Sequence, residues 1–312
     1  MLPSLICRAA SHAAIVIGGG VGPAAGVALH QSIIEHTRAR GDGDHLHVHH
    51  VSHSAMVRDR TEFLLGAEDA RAGERPANPG TGMVKALTPT LHALAAAHPG
   101  LRVAVGVPCN TFHAPAVFDE FRRAVDELRL DVTVVDMLAE TRASLEALRH
   151  GGGGNVVRTV GVMATTGTRR AGTYRDLLEP AGFQVVEVAE ADQPALHASI
   201  YDARWGLKAV FPATARAKEN FAGYAAGLVA AGADALVLGC TEIPLAFPRA
   251  PAGGVGRFGG GEGGGAVPLV DPVACLARAL VRKTDASKLI ADDGNTASPQ
   301  VRSKQGVGST PL

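Results

Sequence analysis

The sequence is poor in three features that would each indicate a particular class of protein: cysteine, net charge and aromatic residues. Four cysteines in 312 residues are too few and too scattered for a disulfide scaffold, so we expect a reducing, cytoplasmic compartment. Lysine plus arginine and aspartate plus glutamate each number 30, and this neutral balance argues against nucleic acid or an anionic membrane as a partner. No apolar run reaches the length of a membrane span.

The length and composition instead favour two compact domains. A chain of 312 residues can bury two cores of ordinary size, and its low aromatic content of 4% suits tightly packed α/β layers. Residues 1–12 are predicted to be an N-terminal extension that contains Arg8 and no acid. This extension lacks the apolar core of a secretory signal, and a short organelle-targeting segment is the alternative interpretation.

Two stretches of the chain place a cysteine at the end of an apolar, β-branched run. Residues 103–107 lead to Cys109, and residues 235–239 lead to Cys240. Such runs predict strands that are buried on both faces of a parallel sheet, and ligands bind at the carboxyl ends of such strands. Either cysteine alone could equally be a small buried hydrophobe, but the matched context of both favours a function.

The predicted order of elements occurs twice. A strand at 13–17, a glycine-rich turn at 18–23 and a helix at 24–38 open the first half, and a strand at 159–163 with a hydroxyl-rich turn at 164–168 opens the second. We therefore predict an α/β fold of two pseudo-symmetric, Rossmann-like lobes. Each lobe has a central, mostly parallel sheet flanked by helices, and the active site lies in the cleft between the lobes.

The domain boundaries are predicted from changes in composition. The glycine-rich stretch predicts a flexible loop, and the polar sequence at the end, which has few aromatic residues, predicts a disordered tail. Residues 66–82 are predicted to be an exposed loop that could act as a lid. The predicted segments are the first lobe at 13–130 with a returning helix at 267–283, the second lobe at 131–252, the glycine-rich loop at 253–266 and the tail at 284–312.

The glycine-rich turn at residues 18–23 is a candidate anion site. Glycines let the backbone approach a ligand, and the N-terminus of the following helix supplies free N–H donors. The spacing does not match the dinucleotide fingerprint, and the next predicted strand does not end in an acid. We therefore predict that this turn, with Gly20 and Val21, binds the carboxylate of a substrate and not a nucleotide.

Five histidines are concentrated around the second predicted strand. Strand alternation places His45, His47 and His49 on one face, with His50 and His53 nearby. Histidine is a common metal ligand, but no cysteine or paired acid joins this group at a known zinc spacing. We predict structural or loop-lining roles for these residues and no metal site.

The chemistry of two matched thiols leaves several alternatives. A thiolate can act as a base, a nucleophile or a metal ligand. Two cysteines without a histidine pair are a weak metal site, a nucleophilic cysteine leaves the second thiol unexplained, and a redox pair would depend on close approach in the fold. A two-base proton transfer uses both residues, because Cys109 and Cys240 would act on opposite faces of one carbon.

Four motifs follow one another along the chain: Gly18-Gly19-Gly20-Val21-Gly22-Pro23, Pro108-Cys109-Asn110-Thr111, Ala164-Thr165-Thr166-Gly167-Thr168 and Gly239-Cys240-Thr241-Glu242-Ile243-Pro244. Together they resemble the aspartate/glutamate racemase superfamily and favour its aspartate racemase branch. The resemblance covers residues 13–283 and implies an enzyme that needs no cofactor, including no pyridoxal phosphate. It also implies that Cys109 and Cys240 are the opposed acid and base, and that the protein is a homodimer.

The resemblance further implies a basic pair that binds substrate carboxylates. Arg60 matches the family's Asp-Arg-Thr, and Lys208 is the match for its lysine, although the alignment is looser there. Gly20 departs from the residue that many relatives carry, and residues 66–82 and 253–265 exceed the compact form of the family. The residues expected to bind a carboxylate or the developing enediolate by hydrogen bonds are Asn110, Thr111, Thr166 and Thr241.

The expected function is racemisation of an acidic amino acid, with aspartate as the first choice of substrate. Two alternatives on the same fold are cis–trans isomerisation of a dicarboxylate such as maleate and racemisation with a broader specificity. A decarboxylase is disfavoured, because decarboxylase relatives retain only one of the two cysteines. A non-enzymatic alternative is a degenerate protein that binds amino acids.

Overall fold

The computed structural model describes residues 12–66, 77–150, 156–248, 256–259 and 265–291. Several predicted segments fall wholly or partly on other residues: the N-terminal extension, most of the loop at 66–82, most of the loop at 253–266 and the tail beyond residue 291. The described residues form two sheets with helices packed on them.

The first sheet contains four parallel strands in the spatial order β2-β1-β3-β4. Every residue of β1 is buried, as expected for a central strand that is covered on both faces. The strands are β1 (Ala13–Gly19), β2 (Val48–Ser52), β3 (Arg102–Gly106) and β4 (Val132–Val134).

The second sheet has the order β6-β5-β7-β9-β8 and is parallel except for β8, a short edge strand that the sequence did not indicate. Its first three strands repeat the arrangement of the first sheet, so β3 and β7 occupy corresponding positions. The predicted α/β class with parallel sheets is therefore confirmed. The strands are β5 (Thr159–Ala164), β6 (Gln184–Glu187), β7 (Ala235–Gly239), β8 (Gly256–Phe258) and β9 (Val267–Val270).

The helices cover both faces of the sheets, and one core cluster joins residues of both sheets to helices α5 and α10. Helices α2, α6 and α8 were not predicted. The ten helices among the described residues are α1 (Pro23–His36), α2 (Arg60–Gly66), α3 (Pro79–Ala97), α4 (Pro115–Asp126), α5 (Met137–His150), α6 (Thr166–Arg170), α7 (Thr173–Leu178), α8 (Gln193–Tyr201), α9 (Ala215–Ala230) and α10 (Pro272–Asp285).

The ends of the two lobes differ from the predicted boundaries. Strand β4 pairs with β3 in the first sheet, so the predicted boundary between residues 130 and 131 falls before the last strand of that sheet. The predicted tail also begins too early, because α10 continues to Asp285 and the residues after it are bound to the first lobe. Lys288 Nζ contacts Asp44 Oδ1 at 2.8 Å, and the Ile290 N–H donates to the His36 carbonyl.

Two helices begin where the sequence did not predict a helix. The start of α3 at Pro79 lies inside the predicted loop at 66–82, and α2 starts at Arg60. Asn78, which lies within the predicted loop, is the N-cap of α3, and its side chain accepts from Gly80 N at 2.8 Å with Pro79 in the first helical turn. Asp59 accepts from the backbone N–H of Glu62 at 2.9 Å and so caps α2. This cap places Arg60 at the first position of a helix.

Candidate active site

The first cysteine, Cys109, lies in a loop that follows β3 and is fixed by a buried histidine. The Nδ1–H of His113 donates to the Cys109 carbonyl at 2.9 Å, and His113 Nε2 accepts from the backbone N–H of Met137 at 3.3 Å. Burial lowers the pKa of His113, so the ring stays neutral and can both donate and accept. Both ring nitrogens are thus used to hold the loop, and His113 is not available as a base.

Arg60 supplies a buried positive charge beside Cys109. Its side chain contacts the Cys109 thiol, and its Nη2 donates to the Val21 carbonyl at 3.0 Å. Burial by itself lowers the pKa of Arg60, but Cys109 and Asp59 outweigh it, and the net shift is upward. Arg60 is only 7% exposed, and its Nε has no hydrogen-bond partner among the described residues. Val21, predicted as a substrate ligand, uses its carbonyl to hold this guanidinium.

The second cysteine, Cys240, directly follows β7 and contacts a carboxylate. Its Sγ donates to Glu242 Oε2 at 3.1 Å, and the Thr241 hydroxyl donates to the same oxygen at 3.2 Å. The other oxygen, Glu242 Oε1, accepts from Lys208 Nζ at 2.7 Å. The predicted ligands Lys208 and Thr241 therefore both bind Glu242, which is 2% exposed.

The protonation states around Cys240 follow from this network. Burial by itself raises the pKa of Glu242, but Lys208 and the hydrogen bonds outweigh it and lower the pKa below its usual value. Burial and the charge of Glu242 together raise the pKa of the Cys240 thiol well above its ordinary value. Burial lowers the pKa of Lys208, but Glu242 more than reverses this, and the net shift is upward. The resting group is a thiol beside a carboxylate and an ammonium.

The glycine-rich turn of the first lobe packs against this ion pair. Gly22 has φ of 113°, and a Cβ at this position would lie 2.2 Å from Glu242 Oε1. Gly20 has φ of 84°, and a Cβ there would lie 2.8 Å from the backbone nitrogens of His53 and Ser54. Gly20, predicted to bind substrate, thus allows close packing of two backbone segments. The turn also brings the first lobe against Lys208 and Glu242 of the second.

A tyrosine connects the surroundings of the two cysteines. The hydroxyl of Tyr174, on α7, donates to Asn110 Oδ1, and its ring lies so close to Gly239 that a Cβ there would be 3.1 Å from the ring. Asn110 directly follows Cys109 in the sequence, and Gly239 directly precedes Cys240. Asn110, a predicted ligand, is therefore near both cysteine-bearing loops, while its Nδ2 has no hydrogen-bond partner among the described residues.

Three threonine hydroxyls link the Cys109 loop to the second lobe. Thr111 Oγ1 lies 2.8 Å from Thr168 Oγ1 and 3.2 Å from Thr165 Oγ1, and the latter two are 3.0 Å apart. Thr165 also caps α6 by accepting from the Thr168 N–H. Thr166, the predicted ligand, instead donates its backbone N–H to His197 Nδ1 at 3.3 Å. Thr111 thus bonds to the opposite lobe.

Sequence reasoning did not assign four residues of this region. Glu242 was visible in the motif after Cys240, but Tyr174, Tyr201 and His197 gave no spacing signal. The Tyr201 ring stacks on His197 at 4.5 Å and lies 5.4 Å from Lys208 Nζ, and burial raises the pKa of its phenol. The sequence contains only three tyrosines, and two of them, Tyr174 and Tyr201, lie in this region, so the rarity of tyrosine was the signal that could have indicated them.

The histidines around β2 form a separate group. His47 Nε2 and His49 Nε2 are 2.7 Å apart, and the His50 ring packs against Gly19 and Gly26. In the described ranges, no set of three or more His, Cys, Asp or Glu side chains is arranged to hold a metal ion. The helices of the same ranges include none that is long and apolar enough to cross a membrane.

Comparisons with known proteins identify the family. The sequence model of the Asp/Glu/Hydantoin racemase family matches residues 19–280. A glutamate racemase of Pseudomonas putida (strain W619) is 31% identical over 189 residues, which cover 61% of this chain and 60% of the relative. A second glutamate racemase, from Pseudomonas entomophila (strain L48), is 26% identical over 206 residues, again 61% of this chain and 60% of the relative. The chain thus spans about 60% of the length of these curated relatives.

Solved structures show the same fold. The aspartate racemase of Picrophilus torridus superposes with a TM-score of 0.60 at 23% identity, covering 87% of this chain and 94% of that one. An aspartate racemase homologue from Pyrococcus horikoshii gives a TM-score of 0.55 at 22% identity, covering 87% and 98%. The family match extends over most of the chain and includes both cysteine motifs. The predicted superfamily is confirmed, and the chain belongs to the Asp/Glu/Hydantoin racemase family.

Proposed function

We propose that this protein racemises an acidic amino acid, with aspartate as the expected substrate, by proton transfer between Cys109 and Cys240 without a cofactor. One observation carries the proposal: the cysteines follow corresponding strands, β3 and β7, and each has a different charged partner. Cys109 contacts Arg60, whereas Cys240 donates to Glu242. A single-base or purely structural role would leave this paired arrangement unexplained.

The charges assign complementary tasks to the two sulfurs. Arg60 is positioned to stabilise negative charge on Cys109, which would then remove the α-proton from the face of the substrate that it meets. The protonated Cys240 would deliver its proton to the opposite face. In this direction one C–H bond breaks, another forms on the other side, and Cys240 is left as a thiolate. The forward step leaves Cys109 as a thiol, so in the reverse direction the Cys240 thiolate removes the α-proton, Cys109 delivers its proton to the opposite face, and the starting state is restored.

Two unpaired donors support a carboxylate-bearing substrate. Arg60 Nε and Asn110 Nδ2 are both buried and have no partner among the described residues. A buried donor without a partner costs about 1–3 kcal/mol, and a substrate carboxylate would satisfy it. The same donors would stabilise the charge that develops on the α-carboxylate as the proton leaves.

The choice of aspartate rests on the motifs. The resemblance of the four motifs favours the aspartate racemase branch, whereas the curated relatives described above are glutamate racemases. Lys208 is held by Glu242, so it contributes to the site through that carboxylate in the resting structure. Glutamate is therefore the second substrate to assay.

The direct test is incubation of the purified protein with L-aspartate, without pyridoxal phosphate, followed by chiral chromatography. We expect D-aspartate to accumulate towards an equal mixture. Cys275→Ser is the matched control for cysteine chemistry, because Cys275 lies on α10 and outside the proposed pair. Absence of racemisation with both aspartate and glutamate, or turnover of maleate alone, would contradict the proposal.

A further inference from the structure

Tyr174 lies where the two lobes meet beside both cysteines, and its hydroxyl has one hydrogen-bond partner among the described residues. The side chain is 2% exposed, and the hydroxyl donates to Asn110 Oδ1 in the opposite lobe. A buried phenol needs a hydrogen-bond partner, so this contact fixes the ring as well as the amide. On its other side the ring packs against Gly239, where the absence of a side chain makes the approach feasible.

The polarity of this bond decides which end of the Asn110 amide stays free. Burial raises the pKa of Tyr174 well above its ordinary value, and Cys275 and Asp271 add to the shift, so the phenol remains a donor. A donor selects the amide oxygen, which turns Nδ2 in the other direction. Asn110 is 2% exposed, and Nδ2 is left without a partner among the described residues.

We infer that Tyr174 is a positioning residue, whose hydroxyl orients Asn110 so that the amide nitrogen donates to a carboxylate of the substrate bound beside Cys109. The inference rests on the proposed function and deepens it. Because the donor and the acceptor belong to different lobes, the amide is oriented only while the lobes are in contact at this point. Substrate binding and lobe contact are coupled through this one bond.

The test is a double-mutant cycle with Tyr174→Phe and Asn110→Ala. For each variant, kcat/KM is measured with L-aspartate, and the affinity for succinate, an unreactive dicarboxylate, is measured by calorimetry. We expect Tyr174→Phe to lower both quantities about tenfold, the scale of one hydrogen bond. In the Asn110→Ala background the same change should cost less than about twofold, because the residue through which Tyr174 acts is absent.

Two further variants sharpen the test. Tyr224→Phe removes another tyrosine hydroxyl of the second lobe. Tyr224 lies on α9, and its hydroxyl contacts Ser199 on α8. Both kcat/KM and the succinate affinity of this variant should stay within about twofold of wild type. Asn110→Asp keeps the shape and the acceptor for Tyr174 but replaces the free donor with an oxygen. Asn110→Asp should lower the affinity for succinate more than Asn110→Ala does, because the new negative charge repels a carboxylate.

The outcomes separate this inference from the proposed function. Unchanged succinate affinity in Tyr174→Phe, or an undiminished tenfold loss in the Asn110→Ala background, would overturn the role assigned to Tyr174. A wild type that binds succinate but racemises neither aspartate nor glutamate would contradict the proposed function, and the affinity cycle would still decide the role of Tyr174. Circular dichroism of each variant checks that the fold is retained.

Discussion

The two cysteine-bearing loops occupy corresponding positions in the two sheets, yet their electrostatic surroundings are opposite. Cys109 has a guanidinium beside it, from Arg60 on a helix of its own lobe. Cys240 has a carboxylate beside it, from Glu242 two residues further on, and Lys208 balances that charge. The repeated architecture thus fixes where the sulfurs stand, and residues outside the repeat fix the sign of the charge that lies beside each of them.

The contacts that hold the two loops in place also differ in charge. The Cys109 loop is held by neutral hydrogen bonds from His113 and from the threonine hydroxyls around Thr111. The Cys240 loop is held by an ion pair in which the Glu242 carboxylate is buried and the Lys208 side chain is 22% exposed. Breaking a neutral contact should alter geometry, whereas breaking the ion pair should leave a charge without a partner. The experiments below test this contrast, beginning with the largest expected effect.

Replacing either cysteine by serine should reduce racemisation about 10³-fold or more, because a serine hydroxyl is a far weaker base than a thiolate. Cys109→Ser and Cys240→Ser are compared with Cys275→Ser by chiral chromatography, and circular dichroism confirms the fold. We expect Cys275→Ser to keep near wild-type turnover. If Cys109→Ser or Cys240→Ser did so, the two-thiol mechanism would be wrong.

Lys208→Met should destabilise the fold by about 3 kcal/mol at pH 7, because Glu242 would remain buried and charged without its partner. In the wild type the pKa of Glu242 is below its ordinary value of 4.5, so the ion pair stabilises the protein above that pH and loses its effect as the pH falls through the lowered pKa. Urea unfolding at pH 7 and pH 4 measures this.

The difference between wild type and Lys208→Met should shrink at pH 4, because the unpaired carboxyl of the variant takes up a proton more readily. Lys218→Met, a change of the same type on the exposed part of α9, is the control and should stay within about 0.5 kcal/mol. A loss for Lys208→Met of the same size at both pH values would contradict the assigned ion pair.

Arg60→Lys should lower kcat/KM for L-aspartate about thirtyfold, which corresponds to a loss of about 2 kcal/mol of transition-state stabilisation. Lysine keeps the charge, but its single ammonium cannot at once donate to the Val21 carbonyl, contact Cys109 and leave a further N–H donor free for the substrate, as the guanidinium does. Arg58→Lys, two residues earlier on the surface, is the matched control. An Arg60→Lys variant within twofold of wild type would show that Arg60 is not a substrate ligand.

Glu242→Gln should have the smallest kinetic effect, about tenfold, and the clearest effect on pH dependence. Removing the carboxylate charge should lower the pKa of the Cys240 thiol, and Lys208 would then act in the same direction. Alkylation of Cys240 by iodoacetamide should therefore proceed faster at pH 7 in the variant, as followed by peptide mass spectrometry. Alkylation of Cys109 is the internal reference. Slower alkylation of Cys240 in the variant would contradict the assignment that Glu242 raises the pKa of the Cys240 thiol.

The strands that carry the two cysteines were predictable, because buried β-branched runs and the motifs after them are local signals. The boundary after residue 130 was not, since the three-residue strand β4 does not show which sheet it joins. The start of α3 was missed because Asn78 followed by proline and glycine indicates a turn as readily as a helix cap.

The partners of the cysteines were predicted only in part. Arg60 was found through a motif, but its contact with Val21 depends on the way that α2 approaches the glycine-rich turn. Lys208 and Glu242 are separated by 34 residues, and nothing in their spacing predicts that they pair. Tyr174 meets Asn110 across the lobes, which only the packing of two separate sheets can determine.

The most direct test of the central claim, that the two sulfurs serve opposite faces of one carbon, is exchange of the α-hydrogen in D₂O. Cys109→Ser and Cys240→Ser are each incubated with L-aspartate and with D-aspartate, and the α-proton signal is followed by NMR. The account predicts that each variant exchanges one enantiomer without inverting it, and that the two variants choose opposite enantiomers. Exchange of the same enantiomer by both variants, or of both enantiomers by either one, would contradict it.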